Sequence, residues 1–322
     1  MKWLVTGGAG YIGAHVCHAL VRAGHHVVVL DDFSTGREEF LPEGVDLVRG
    51  SLLDPVALDE AFSRRVTGVI HIAGYKYAGE SVKLPLHTYE QNVVGMLRLL
   101  EAMSRHQVDV ILFSSSAAVY GEVSAEIITE DHPTAPASPY GESKLIGEWM
   151  LANQERASGL RHSSLRYFNV VGSGVPGVYD TSPYSLSSLM FGAIERGESP
   201  TIFGSDYPTR DGTCVRDYIH VQALALAHVA AAERMAQGLT MEPAYNLGSG
   251  RGATVREVMM AVARLTGRPF EPVLADRRPG DPPSVVASGE RAVRDLGWVM
   301  THSLEDMFGS AWREYGAAHG LD

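Results

Sequence analysis

Residues 7–13, GGAGYIG, follow the apolar run KWLVT and lead into a stretch that reads as a helix. That order of strand, glycine turn and helix restricts the fold more than any other feature of the chain. In a sequence with 34 glycines, Gly7-x-x-Gly10-x-x-Gly13 alone also fits a plain tight turn. Context narrows it, because a second apolar run, HVVVLD, follows and ends on Asp31, 18 residues beyond Gly13. Glycines at such a turn let backbone amides approach a pyrophosphate at the helix N-terminus, and a carboxylate at Asp31 can accept hydrogen bonds from the adenosine ribose. The same carboxylate would repel a 2′-phosphate, so the pattern favours NAD over NADP.

Short runs rich in Val, Ile and Leu recur at 2–6, 26–31, 45–49, 67–73, 108–114 and 163–168, separated by stretches that fit helices at 11–23, 55–62, 89–105 and 140–158. Strand and helix in alternation at this spacing predict a parallel sheet covered on both faces. After about residue 170 the regularity weakens and Pro and Gly thicken, although helices are expected near 185–196, 221–236, 254–266 and 303–317. TVRE at 254–257 has the form of a capping box. The 322-residue length accommodates two units, which are drawn here as 1–170 for NAD and 171–322 mainly for substrate, with some later segments crossing back.

The net charge of −11 argues against a broad nucleic-acid or acidic-membrane partner. No apolar run approaches the roughly 18–20 residues of a membrane span, and the first residues lack the form of a signal peptide, so a cytoplasmic location is expected. Cys17 and Cys214 are too few for a disulfide framework, and the 13 histidines show no metal-ligand spacing, so no metal is expected.

The segment SPYGESK, 138–144, puts Tyr140 and Lys144 one helical turn apart on the same face. A solvated surface pair is the competing reading. It loses ground because the pair lies downstream of a dinucleotide turn and after FSSSAAVYG, 113–121, where a strand ends in three serines. Hydroxyls at the carboxyl end of a parallel strand face the crevice in which such sheets bind ligands.

The glycine turn, the strand-end serine and Tyr-x-x-x-Lys together resemble the extended short-chain dehydrogenase/reductases. Further blocks narrow the resemblance to the UDP-galactose 4-epimerases (UDP-glucose 4-epimerases) among them: VIHIAGYKYAGESV, LRYFNVVG, IFGSDYPTRDGTCVRDYIHV, YNLGSG and RRPGDPPSVVAS, collinear from residue 1 to about 300. The resemblance implies an α/β fold, a doubly wound parallel-sheet Rossmann domain with a smaller α/β substrate-binding lobe. It also implies a homodimer that pairs the helices near 89–105 and 140–158.

Carried over by position, Ser116, Tyr140 and Lys144 are the catalytic set. Gly7, Gly10, Tyr11, Ile12, Gly13, Asp31, Asp32, Phe33, Ser34, Thr35 and Gly36 surround the cofactor, as do Ser51, Leu52, Ile72, Ala73, Gly74, Lys76 and Phe168. Asn169, Ser185, Leu186, Arg216, Arg278, Asp281 and Val285 fall at substrate positions, the arginines suited to a diphosphate. The implied reaction has Tyr140 take the proton of the sugar 4-hydroxyl, directly or through Ser116, while the C4 hydrogen passes to NAD as hydride and returns to the opposite face of the 4-keto sugar. For that role the Tyr140 pKa is expected to fall toward the working pH under the influence of Lys144 and the nicotinamide.

Three positions depart from the family: Ser51 where an aspartate is common, Ser185 where an asparagine is usual, and Val285 where several members carry a tyrosine. The small Val285 leaves room for a 2-acetamido group, which extends the expected substrates to UDP-GlcNAc and UDP-GalNAc. A UDP-glucuronate decarboxylase or epimerase and a non-catalytic NAD-binding sensor remain open on the same fold. A dehydratase fits less well, because AAVYG follows Ser116 where an acidic pair is expected.

Overall fold

The computed structural model describes residues 1–123, 125–278 and 281–321; Pro279 and Gly280 of the RRPGDPP block lie outside the described residues. Thirteen strands are present among the described residues: β1 (Lys2–Thr6), β2 (His26–Asp31), β3 (Asp46–Arg49), β4 (Gly68–His71), β5 (Val110–Ser116), β6 (Arg161–Tyr167), β7 (Asn169–Val171), β8 (Thr201–Phe203), β9 (Val215–His220), β10 (Ala244–Leu247), β11 (Gly252–Thr254), β12 (Val273–Ala275) and β13 (Ser284–Val285). The helices are α1 (Tyr11–Arg22), α2 (Pro55–Ser63), α3 (Ala78–Ser81), α4 (Pro85–Tyr89), α5 (Gly95–Arg105), α6 (Pro139–Ser158), α7 (Leu186–Glu195), α8 (Val221–Ala236), α9 (Val255–Thr266), α10 (Glu290–Leu296) and α11 (Leu304–His319).

Seven parallel strands form the main sheet in the order β10-β6-β5-β4-β1-β2-β3. Side chains alternate along each strand, and both sets are apolar. Trp3, Val5, Val27, Val29, Ile70 and Leu112 pack with α1 and α8 on one face. Leu4, Val28, Leu30, Val69, Ile111 and Phe113 pack with α2, α5 and α6 on the other. A strand buried on both sides reads as a continuous hydrophobic run, which is why these strands are visible in the sequence.

Although they come late in the chain, α8 and β10 belong to this layer: α8 covers the first face and β10 pairs with β6. A second core, around Met190, Phe191, Ile202, Tyr218, Val258 and Phe308, joins α7, α9 and α11 to β7, β8 and β9. The predicted capping box is present, Thr254 accepting from the Glu257 amide while Glu257 accepts from the Thr254 amide. The expected helix at 89–105 is interrupted: α4 ends at Tyr89, Glu90–Val94 are π-helical, and α5 resumes from Gly95. No helix among the described residues is long and apolar enough to cross a membrane.

Candidate active site

The glycine turn is closed by contact. A Cβ at Gly13 would lie 2.0 Å from the Gly7 carbonyl oxygen, and one at Gly7, whose φ is +70°, would meet the Ala73 backbone at 2.8 Å. Gly10, the N-cap of α1, brings no capping side chain, so the first amides of that helix face the carboxyl edge of the sheet without an internal acceptor. Asp31 anchors the loop from the other side, its two oxygens accepting from the Ala9 and Phe33 amides, each at 2.9 Å. Burial pushes the Asp31 carboxyl up, and those two amides oppose the shift.

Around it, Asp32 caps Ser34, Phe33 takes a left-handed φ of 59° under the Arg49 guanidinium, and Thr35 and Gly36 continue the loop. Ile72 and Ala73 both donate to the Thr6 carbonyl at the mouth of the turn. Tyr11 reaches out of the loop, its hydroxyl donating to the Gly172 carbonyl at 2.5 Å, while Ile12 packs beneath.

The helix α6 carries Tyr140 and Lys144, and two small residues bring it close to the sheet. A Cβ at Gly147 would sit 2.9 Å from the Phe113 ring, and one at Gly141 would sit 2.5 Å from the Ala118 carbonyl. Ser138 starts the helix by accepting from the Gly141 amide, with Pro139 in its first turn. Lys144, 6% exposed, donates to the Ser114 carbonyl at 2.9 Å and lies 4.9 Å from the centre of the Phe113 ring.

The three serines at the end of β5 divide their work. Ser114 bonds His228 on one face, Ser115 donates to Glu148 on the other, and Ser116 caps the turn that follows by accepting from the Ala118 amide. Burial raises the Tyr140 pKa, with the Ser116 hydroxyl acting in the opposite sense, and burial lowers Lys144 to about 8. The expectation that Tyr140 would be shifted down is therefore corrected for the protein chain alone. A phenol partly withdrawn from water is penalised for ionising more than the Ser116 hydrogen bond helps it.

On the substrate side the predicted residues are held by one another. Arg216 pairs with Asp281 and also donates to the Val215 carbonyl. Arg278 lies over the Phe203 ring at 4.1 Å, and Asn169 donates to the Asp217 carbonyl. Val285 pairs in register with Arg216 and packs on the cluster of Val119, Leu145 and Phe168, next to the turn after Ser116. Ser185 is the N-cap of α7, accepting from the Ser188 amide, and Leu186 begins that helix against the second core. Ser185 also donates to the Ser188 hydroxyl, which donates to the Asp180 carbonyl; the Asp180 carboxylate lies 4.0 Å from Lys76, and next to Ser185 the Tyr184 ring meets Tyr77 at 5.0 Å. Ser51 accepts from the Leu53 amide, and Leu52 is in the core.

Two residues escaped the sequence reading. Asn92, in the π-helical stretch, accepts from the Tyr75 amide and donates to Ser143, tying the loop after Gly74 to α6. The only sequence signal for it is a polar residue inside an apolar helical stretch. Phe203, partly exposed at the end of β8, presents a ring beside Arg278, and its signal is an aromatic residue just before Gly204, where φ is +81°.

The sequence model of the NAD dependent epimerase/dehydratase family matches residues 3–248. This chain belongs to that family. It is 46% identical over 311 residues to the UDP-glucose 4-epimerase of Azospirillum brasilense, covering 94% of this chain and 88% of the relative. Among solved structures it is similar to the UDP-glucose 4-epimerase from Brucella ovis in complex with NAD, with a TM-score of 0.93, 39% identity and 98% of each chain covered. It is similar also to the enzyme from Bifidobacterium longum in complex with NAD+ and UDP, with a TM-score of 0.90, 34% identity and 99% of each chain covered. Ser51 and Ser185 have local roles here, since each hydroxyl accepts a backbone amide at a turn or helix start.

Proposed function

We propose that the protein is an NAD-dependent UDP-hexose 4-epimerase that interconverts UDP-glucose and UDP-galactose through a transient 4-keto sugar. The observation that carries this reading is the meeting of a half-buried tyrosine, a buried ammonium and a strand-end hydroxyl at the sheet edge that also bears the glycine turn. The turn fits a dinucleotide, since Gly13 packs against the Gly7 carbonyl to bring the helix start close to the strand, and a Cβ at Gly10 would meet only that carbonyl, at 3.4 Å, leaving the helix amides open to a pyrophosphate. Gly7, Gly10, Gly13, Asp31 and the loop through Gly36 would hold it, with Lys144 and Lys76 as cations nearby. When bound, NAD supplies the hydride acceptor and donor for the sugar C4 and, in its oxidised form, a positive charge that favours the Tyr140 phenolate.

In this reading Tyr140 accepts the proton of the 4-hydroxyl and later returns one, Ser116 orients that hydroxyl, and the buried ammonium of Lys144 favours the phenolate. Arg216 and Arg278 hold the diphosphate, Asp281 accepts from the ribose, and Phe203 offers a face to the base. Holding only the nucleotide end leaves the keto sugar free to turn. Purified protein given UDP-galactose without added cofactor is the test: an isomer of equal mass, formed without free NADH, supports the reading, and decarboxylation or no turnover rejects it.

The valine at 285 supports activity on UDP-GlcNAc and UDP-GalNAc as well. Turnover of both substrate pairs side by side tests this, and undetectable turnover of the N-acetylated pair alone rejects it. Exposed Val94 and Leu97 on one helical segment and Trp149 on α6 support a homodimer built on these helices, checked by the solution mass. The free, buried cysteines fit a cytoplasmic protein.

A further inference from the structure

Lys144 is an ammonium with little water, and its single hydrogen bond is to a neutral carbonyl, that of Ser114. A buried ammonium without a counter-charge surrenders its proton. The titratable groups near it on other elements offer none: His71 on β4 is held neutral by burial, and at the Ser114 side chain His228 on α8 is held neutral and Tyr167 on β6 protonated, again by burial. On its own helix Tyr140 is likewise held protonated, and one turn on stands Glu148.

That carboxylate is fixed by three hydrogen bonds from two residues. Ser115 donates to Oε1 at 2.6 Å, and the Arg166 guanidinium forks onto both oxygens, at 2.9 and 2.5 Å. His162, also on β6, faces Glu148 as well. Both members of the ion pair are about nine-tenths buried. Arg166 in turn donates to the Tyr120 hydroxyl at 2.9 Å, which donates to Asn246 at 2.7 Å on β10. The network therefore runs from the residue beside Ser116, through the helix that carries Tyr140, to the far edge of the sheet.

We propose that Glu148, held in place by Ser115 and Arg166, is the counter-charge that keeps Lys144 protonated, so that Glu148 and Arg166 are positioning residues of the reaction. Arg166 draws on the same carboxylate and so limits its hold on Lys144. The two residues thus act on the ammonium in opposite directions. This rests on the epimerase reading for its catalytic meaning, but the electrostatic coupling is measurable without turnover.

The chain has four lysines, so 13Cε-lysine labelling of the holoenzyme yields a small set of resonances, with that of Lys144 identified by its loss in Lys144→Arg. In Glu148→Gln the titration midpoint of Lys144 is expected to fall by about one pH unit, and in Glu148→Asp to recover most of that shift. In Arg166→Met the midpoint is expected to rise. The alkaline limb of kcat/KM for epimerisation moves in the same directions. An unmoved midpoint in Glu148→Gln overturns the proposal. If that variant does not fold, Arg166→Met decides: a rise supports the proposal, while an unmoved or lowered midpoint overturns it. Wild-type protein without epimerase activity whose Lys144 still responds to Glu148 would sink the functional reading and leave the coupling standing.

Discussion

Around the glycine turn the site is walled by main chain, with Gly13 against the Gly7 carbonyl, Gly7 against Ala73, and Asp31 spanning the Ala9 and Phe33 amides. Across the cleft the proposed substrate groups are long side chains that occupy one another, Arg216 on Asp281 and Arg278 on Phe203. The first region is organised before any ligand arrives, because its donors are fixed by backbone geometry. The second must exchange internal partners for a ligand, which makes it the adaptable half and the one in which specificity can drift. Tyr140, Lys144 and Ser116 lie where the two meet.

Four experiments would break or sharpen this contrast. The largest effect is expected from Gly13→Ala, which drives a methyl into the Gly7 carbonyl and should abolish co-purified nicotinamide, as measured by cofactor content after denaturation. Retention of full cofactor would show that the turn is less rigid than its contacts imply.

Next, Tyr140→Phe should lower kcat by about 10²–10⁴ with little change in cofactor content or substrate affinity, the size usual for loss of a general acid–base group. An untouched rate would remove Tyr140 from the chemistry. On the adaptable side, Arg216→Met should raise KM by roughly 10–100-fold, the loss of a charged hydrogen bond, while kcat holds. Steady-state kinetics with a UDP-hexose separate the two patterns, and a fall in kcat instead would mean that the arginine acts on the reacting sugar.

The smallest step concerns acid stability and draws on both regions. Burial lowers His71 to about 3, and His15, His220 and His228 to about 4. An unfolded histidine titrates near 6.5, so between that value and about 4 the unfolded chain binds more protons than the folded one, and stability falls as the pH falls. Each such group contributes about 1.4 kcal/mol per pH unit within the window. Thermal melts from pH 7 to 5 should show a decline, and His228→Gln, which spares the Ser114 contact, should flatten it by one histidine's share.

The parts legible in the sequence were those whose physics is local. Strands buried on both faces announce themselves as apolar runs, and β1, β2 and β5 fall within a residue or two of their expected limits. Tyr140 and Lys144 share a helix, so their relation follows from helical spacing alone. Asn92 was not legible, because its role depends on a π-helical insertion that aims it at the loop after Gly74. Strand β10 is only four residues long and becomes a strand by pairing with β6, far away in sequence. That burial opposes ionisation of Tyr140 in the protein chain alone also escaped, since desolvation is set by what packs around a group rather than by its neighbours in the chain.

By itself the sequence determined the strand–turn–helix order, the glycines that the turn requires, and the four-residue spacing of phenol and ammonium, since each follows from backbone sterics and the periodicity of a helix. Only the tertiary structure decided which groups hold Glu148, which serine of three caps the turn after β5, and how Arg216 and Asp281 satisfy each other. Those outcomes depend on charge and burial among residues that meet only when the chain is folded, and electrostatics in a dry interior acts through space rather than along the chain.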